Sequence, residues 1–376
     1  MYRSFLIKPA SSACNLRCRY CFYIDESENR SVRNYGMMDE ATSHALIDKA
    51  AADRNDFISF GFQGGEPTLA GLDFFRDFVS YTLEKTSRRH VNFAIQTNGI
   101  LINREWAEFL KKNDFLVGLS IDGGKKFHDS YRVDASGKGS FTKVFNNAKM
   151  LQSEGVAVNI LITVTKQIAR NVEEVYSFFK RNGFRYHQYI PCIDPIASRR
   201  GDMEYSLTSE DYAVFLDRLF ALYYKDWKRG DYVSIRYFDN LVNMCLTGWA
   251  EECGMNGVCG NYYVIEADGS VYPCDFYVLD DYRLGNIREN SFDQLDEKRR
   301  SIKFIEESMS LPEECQICSV RQLCRGGCKR DRENFVEGRI EKTYLCNAYK
   351  HFFTANMEKL MEIVKAEHWA RNGRQY

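Results

Sequence analysis

Long apolar runs are missing from this chain. Across its 376 residues the uninterrupted hydrophobic stretches are only a few residues long, so none is expected to span a bilayer. Charge of one sign is missing too. With 51 Lys and Arg against 52 Asp and Glu, the formal net charge is -1. That balance argues against a nucleic acid or an anionic membrane held by bulk charge. There is no tandem repeat and no low-complexity tract. No signal peptide is read either, because Lys8 and Pro9 interrupt the first apolar run. The chain is therefore expected to stay in a reducing cytoplasm, where structural disulfides are rare. What it has instead is cysteine, thirteen in all, and in such a compartment these point to metal rather than to bridges. Three lie near the N-terminus and eight after residue 250, with Cys192 and Cys245 between; these last two read as ordinary buried or partly buried thiols. The length suffices for two domains, or for one large domain with an appendage.

Cys14, Cys18 and Cys21 form a C-x₃-C-x₂-C motif directly after the first apolar run. Three thiolates so close together suit three irons of a 4Fe–4S cube, which normally takes four cysteines. The missing fourth leaves one iron open, and an open metal position is where a substrate or cofactor binds. The plainer alternatives are a zinc knuckle or three buried thiols. Zinc would want a fourth Cys or His nearby, and the nearest histidine is His44, across a polar loop. At this motif the chain resembles the radical S-adenosylmethionine (SAM) enzymes, whose signature is this spacing with an aromatic residue, here Tyr20, before the last cysteine. The resemblance implies that the open iron chelates the amino and carboxylate groups of SAM, with Tyr20 among the cofactor-binding residues.

Short apolar runs and amphipathic stretches alternate through the first two-thirds of the chain. Strands are expected at 5–8, 57–62, 91–97, 116–121, 156–163 and 186–191. Helices are expected at 39–52, 72–85, 104–113, 142–154, 172–182 and 210–229. Asn103, Ser140, Asn171 and Ser209 read as N-caps, and Gly155 and Gly183 as C-terminal glycines. The aromatic and leucine stripe of the last helix reads as core packing. Such alternation implies an α/β fold of parallel strands joined by right-handed crossovers. Six units fit a partial (β/α)₆ barrel, the fold known for radical SAM enzymes, over 1–232. Residues 233–376 then hold a bridge, a cysteine-rich domain and a C-terminal helix, with a frayed tail after Lys365. Chemistry is expected at the C-terminal ends of the strands. There stand Gln63-Gly64-Gly65-Glu66-Pro67, Gln96-Thr97-Asn98-Gly99 and Ser120-Ile121-Asp122-Gly123. The resemblance assigns Gly65 and Glu66 to the SAM amino group, Ser120 and Arg132 to its carboxylate and ribose, and Ile193 to its adenine.

The C-terminal cysteines run Cys253-x₅-Cys259-x₁₄-Cys274, then Cys315-x₂-Cys318-x₅-Cys324-x₃-Cys328-x₁₇-Cys346. Eight make two complete sets of four. The spacing alone leaves their pairing open, and with it the choice between two zinc ions and two 4Fe–4S clusters. The pattern, with Gly269-x₄-Cys274 in a hairpin, resembles the SPASM domain, which carries two fully ligated auxiliary iron–sulfur clusters. By that resemblance Cys253, Cys259, Cys274 and Cys328 hold one, and Cys315, Cys318, Cys324 and Cys346 the other, giving three 4Fe–4S clusters in all.

The resemblance narrows further. Ile7-Lys8-Pro9-Ala10-Ser11-Ser12-Ala13-Cys14, Gln63-Gly64-Gly65-Glu66-Pro67-Thr68-Leu69-Ala70-Gly71, Ser234-Ile235-Arg236-Tyr237-Phe238-Asp239 and Ser270-Val271-Tyr272-Pro273-Cys274-Asp275 are similar to anaerobic sulfatase-maturating enzymes. The likeness covers nearly the whole chain. It implies oxidation of one Cys or Ser, in a C/S-x-P/A-x-R segment of a sulfatase polypeptide, to Cα-formylglycine. A 5′-deoxyadenosyl radical would take hydrogen from the substrate Cβ. It implies Asp275 as the base for the thiol or hydroxyl proton, Tyr23 and Gln63 as peptide contacts, and a flavodoxin or ferredoxin as electron donor. One rival is a SPASM maturase that crosslinks or otherwise modifies a ribosomally made peptide. Such enzymes often carry an N-terminal leader-binding module, and here the first strand is expected by residue 5. A rival of another class is a non-catalytic zinc or electron-transfer protein, which needs no open iron.

Overall fold

The structure, a computed structural model, describes residues 2–53, 56–86 and 90–372. It divides into two compact units, Met1–Leu161 with Gly260–Phe304, and Ile162–Cys259 with Ile305–Tyr376. In the first unit β1 (Tyr2–Ile7), β2 (Phe57–Phe62), β3 (His90–Thr97), β4 (Leu116–Ser120) and β5 (Ala157–Val164) lie side by side in sequence order. Every pairing among them is parallel. The helices Glu40–Ala52, Leu72–Lys85, Arg104–Lys112 and Phe141–Ser153 are the crossovers, as the alternation of apolar runs and amphipathic stretches required. β5 passes into the second unit, where β6 (Tyr186–Pro191) pairs in parallel with β7 (Ser234–Ile235).

An extension of the sheet was not legible in the sequence. β8 (Tyr263–Ile265) joins the free edge of β1 in parallel, with Phe5 opposite Tyr263 and Ile7 opposite Ile265. β9 (Ser270–Tyr272) returns antiparallel to β8, followed by β10 (Gly285–Asn286). The expected hairpin is thus present, and Gly269, at φ +84°, makes its turn. Its place beside β1 is what brings Cys274 and Asp275 level with the end of that strand.

Aromatic rings fill the space between sheet and helices in the first unit. Phe60 and Phe62 meet Phe78 edge-on at 5.1 and 5.0 Å, Phe62 meets Phe75 at 4.8 Å, and Phe93 stacks on Phe115 at 5.2 Å. In the second unit the helix Ser209–Lys228 buries Tyr212, Phe215, Leu216, Leu219, Phe220 and Tyr223. Phe220 packs against Phe238 at 5.0 Å and Phe352 at 5.4 Å, so its stripe is core, as expected.

Three expected caps act as read: the Asn103 side chain accepts from the Trp106 N–H at 3.0 Å, and Gly155 and Gly183 take positive φ after their helices. Three do not. Thr208, one residue before Ser209, accepts from the Asp211 N–H at 3.1 Å, because the Ser209 hydroxyl accepts from the Ala348 N–H at 3.0 Å. Ser140 donates to the Arg132 carbonyl, and Asn171 donates back to the Gln167 carbonyl, both at 2.8 Å; neither side chain caps its helix. Of the tail expected to fray after Lys365, residues 366–372 are instead helical, in the helix Cys346–Asn372, and the rest lies outside the described residues. Among the described residues no helix is long and apolar enough to cross a membrane.

Phe78 is fully buried where these rings meet. Phe78→Ala is expected to cost about 3–5 kcal/mol of stability through the cavity left behind, read as an earlier guanidinium unfolding midpoint of the first unit.

Candidate active site

The loops at the C-terminal ends of β1 to β4 are tied to one another. Gly65 N–H donates to the Ser11 carbonyl and Glu66 N–H to the Ala13 carbonyl, each at 2.8 Å. A Cβ on Gly65 would lie 2.1 Å from the Ala13 oxygen, so only glycine lets this turn touch the cysteine loop. The buried Glu66 carboxylate accepts from Thr97 Oγ1 at 2.7 Å, the Asn98 N–H at 2.8 Å, and both the hydroxyl and the N–H of Thr68, at 2.5 and 3.1 Å. It clamps the end of β2 to the end of β3. The Gly64 and Gly65 carbonyls accept no protein hydrogen bond among the described residues. Asn98 reaches back to the cysteine loop, donating to Asn15 Oδ1 at 2.7 Å and approaching Cys14 Sγ at 3.7 Å.

The three N-terminal thiols share one region, and burial is the main cause of their raised pKa: it pushes Cys14 up to about 11 and Cys18 up to about 12, and raises Cys21 as well, while Cys21 adds to the rise of Cys14 and of Cys18. Such thiols give up their protons only to a strong positive charge, which a cluster supplies. Arg132 lies beside them, paired through Nε with Asp122 Oδ2 at 2.9 Å and set over the Tyr20 ring at 5.4 Å. Tyr20 donates its hydroxyl to the same Asp122. Ser120 ends β4 and is partly buried. Ile193, also partly buried, follows β6 in the second unit.

In the second unit Cys315, Cys318, Cys324 and Cys346 line one small cavity with Arg321, Lys342 and Lys350. Four sulfurs ringed by cations fit an anionic cluster. Cys253, Cys259 and Cys328 belong to this unit and Cys274 to the first; Gly254 brings its backbone against Cys328, where a Cβ would stand 3.3 Å from Cys328 Cβ. Tetrahedral zinc with bonds of about 2.3 Å draws its sulfurs to about 3.8 Å of one another. Among the described residues no three cysteine sulfurs come within 4.8 Å of one another, so none is gathered as tightly as around a single zinc ion. Cys192 is buried at the end of β6, and Cys245 lies partly buried in the helix Arg236–Thr247.

Asp275 stands just beyond β9. Its carboxylate pairs with Lys8 Nζ and accepts from Gln63 Nε2. Lys8 is fully buried at the end of β1, its Nζ 3.6 Å above the Tyr23 ring. Tyr23 donates its hydroxyl to Glu266, which Arg30 holds at 2.8 Å. The structure thus brings Tyr23, Gln63 and Asp275 together, and adds Lys8, Glu266 and Arg30, to which the sequence reading gave no role. The signal for Lys8 was a lone charge closing an apolar strand one turn before the cysteines.

The fold and this site define a radical SAM protein with an iron–sulfur extension. Residues 9–179 match the Radical SAM superfamily and residues 253–319 the SPASM iron–sulfur cluster-binding domain. The cysteine-type anaerobic sulfatase-maturating enzyme of Clostridium novyi (strain NT) is 46% identical over 365 residues, 96% of this chain and 97% of that protein. The serine-type enzyme of Bacteroides thetaiotaomicron is 29% identical over 383 residues, 96% of this chain and 91% of that one. A solved structure of native anSMEcpe with bound AdoMet and Cp18Cys peptide superposes with a TM-score of 0.93 at 42% identity, covering 97% of this chain and 99% of that one. The chain belongs to the anaerobic sulfatase-maturating enzymes, radical SAM oxidoreductases whose cofactors are 4Fe–4S clusters and SAM.

Gly65→Ala is expected to part the turn from the cysteine loop. Iron and sulfide analysis after anaerobic reconstitution should then fall by about four irons per chain, one cube, while the C-terminal clusters remain.

Proposed function

We propose that this chain oxidises one cysteine of a C-x-P/A-x-R segment in a sulfatase polypeptide to Cα-formylglycine. The observation that carries the reading is the meeting of Asp275, Gln63 and Lys8 at the strand ends that also bear the three-cysteine loop. The greater likeness to cysteine-type than to serine-type enzymes favours cysteine as the target.

Cys14, Cys18 and Cys21 hold the cluster with the open iron, and Tyr20, Gly65, Glu66, Ser120, Arg132 and Ile193 form the SAM site, with Glu66 and Arg132 shaping it through the partners they already hold. When bound, that cluster and SAM supply an electron and a 5′-deoxyadenosyl radical able to take a hydrogen atom from the substrate Cβ. Asp275 receives the thiol proton. Its side chain is shielded from water, and a carbon radical makes the neighbouring thiol far more acidic than its ordinary pKa of about 8.5. Lys8 balances the buried carboxylate, and the Gln63 amide fixes its orientation. With the thiol proton on Asp275 and one further electron removed, for which a bound auxiliary cluster would be the acceptor, the substrate is left with a carbon–sulfur double bond. Water converts that bond to the aldehyde and releases hydrogen sulfide. Tyr23 and Gln63 line the path of the peptide.

Cys253, Cys259, Cys274 and Cys328 hold one auxiliary cluster, and Cys315, Cys318, Cys324 and Cys346 the other, three cubes in all. Residues 1–232 act as the SAM-cleaving barrel and 233–376 as the cluster-bearing extension. A flavodoxin or ferredoxin delivers the first electron in the cytoplasm, with no nucleic-acid or membrane partner.

Asp275→Asn keeps shape but removes basicity. SAM should still be cleaved in the presence of a C-x-P-x-R peptide, whereas aldehyde, read by mass spectrometry of the peptide, should fall by orders of magnitude. Near-normal aldehyde would remove Asp275 from the mechanism. Replacing Cys14, Cys18 and Cys21 together by alanine should abolish 5′-deoxyadenosine; substantial 5′-deoxyadenosine from that variant would sink the SAM-cleavage assignment.

A further inference from the structure

Between the proposed base and the neighbouring cluster ligand stands a hydroxyl with no role so far. Tyr262 Oη accepts from the Asp275 N–H at 3.2 Å and lies 3.4 Å from Cys274 Sγ, to which it donates. Its ring packs against the buried group of Tyr23, Val264, Tyr272 and Val278, and its carbonyl accepts from Arg299 Nη2 at 2.8 Å. Ring and backbone are both fixed, so the hydroxyl is aimed rather than merely nearby.

We propose that Tyr262 is a positioning residue that tunes the auxiliary cluster held by Cys274 to accept the substrate electron, while the same hydroxyl fixes the backbone of Asp275. The proposal rests on the reading of Cys274 as a cluster ligand and Asp275 as the proton acceptor. A hydrogen bond to a ligating thiolate draws electron density from the sulfur. It stabilises the reduced, more negative cluster over the oxidised one, so the reduction potential rises. An acceptor raised in this way takes the electron from the deprotonated substrate radical more readily. Because the donor to the sulfur also anchors the amide of Asp275, proton acceptor and electron acceptor are set by one side chain.

Tyr262→Phe removes only the hydroxyl and keeps the packed ring. The test is an EPR-monitored redox titration of the reconstituted protein, in a background where Cys14, Cys18 and Cys21 are alanine so that only auxiliary clusters report. The Phe variant should show one auxiliary signal moved to more negative potential. With the three cysteines restored, aldehyde formed per 5′-deoxyadenosine should fall several-fold. Cys274→Ala serves as the control and should lose about four irons, one cube. Full iron in that control overturns the ligand reading and this inference with it. Iron loss in the control, with an unmoved potential in Tyr262→Phe, overturns the inference alone.

Discussion

The arrangement depends on one buried ion pair, Lys8 with Asp275. A fully buried ammonium is tolerated only with a charged partner, since an uncompensated buried charge costs several kcal/mol. Lys8 closes β1, immediately before the loop that carries the three cysteines. Asp275 arrives on the β8–β9 hairpin, which reaches that position only because β8 pairs in parallel with β1. The pair therefore fixes the register of two segments far apart in sequence and also holds Asp275 at the strand ends. The Tyr23 ring beneath the ammonium, and Gln63 on the other carboxylate oxygen, leave Asp275 a single orientation.

A second clamp works beside it. Glu66 spends its carboxylate on Thr68, Thr97 and Asn98, so the turn after β2 is rigid and can hold the cysteine loop through Gly65 and Glu66 backbone donors. A carboxylate in a glycine-rich turn invites a ligand-binding role; here its partners also make it a brace. Rigidity of this kind suits radical chemistry, in which the reacting atoms must be held close and water kept out.

The β/α alternation and the clustering of the cysteines were legible in the sequence because both are local: periodicity and spacing need no knowledge of distant partners, whereas the division of the eight C-terminal cysteines into two sets came from family resemblance alone. β8, three residues long and paired with the first strand of the chain, carries no periodicity of its own and could be placed only by tertiary contacts. Two of the expected caps failed for the same reason: Ser209 is claimed by Ala348 and Ser140 by Arg132, partners that local propensity cannot see. Tyr23, Gln63 and Asp275 could be grouped through family resemblance, but Lys8 looked like a mere strand boundary until Asp275 was found against it. Tyr262 likewise reads as one tyrosine among many until its hydroxyl is located between a sulfur and an amide.

The central claim is that this chain takes hydrogen from a peptide Cβ and oxidises that carbon. The direct measurement uses the fully reconstituted protein, SAM, a low-potential reductant and a C-x-P-x-R peptide deuterated at the cysteine Cβ. The account predicts deuterium in 5′-deoxyadenosine together with the aldehyde mass in the peptide. Production of 5′-deoxyadenosine free of deuterium, with the peptide unchanged, would contradict it.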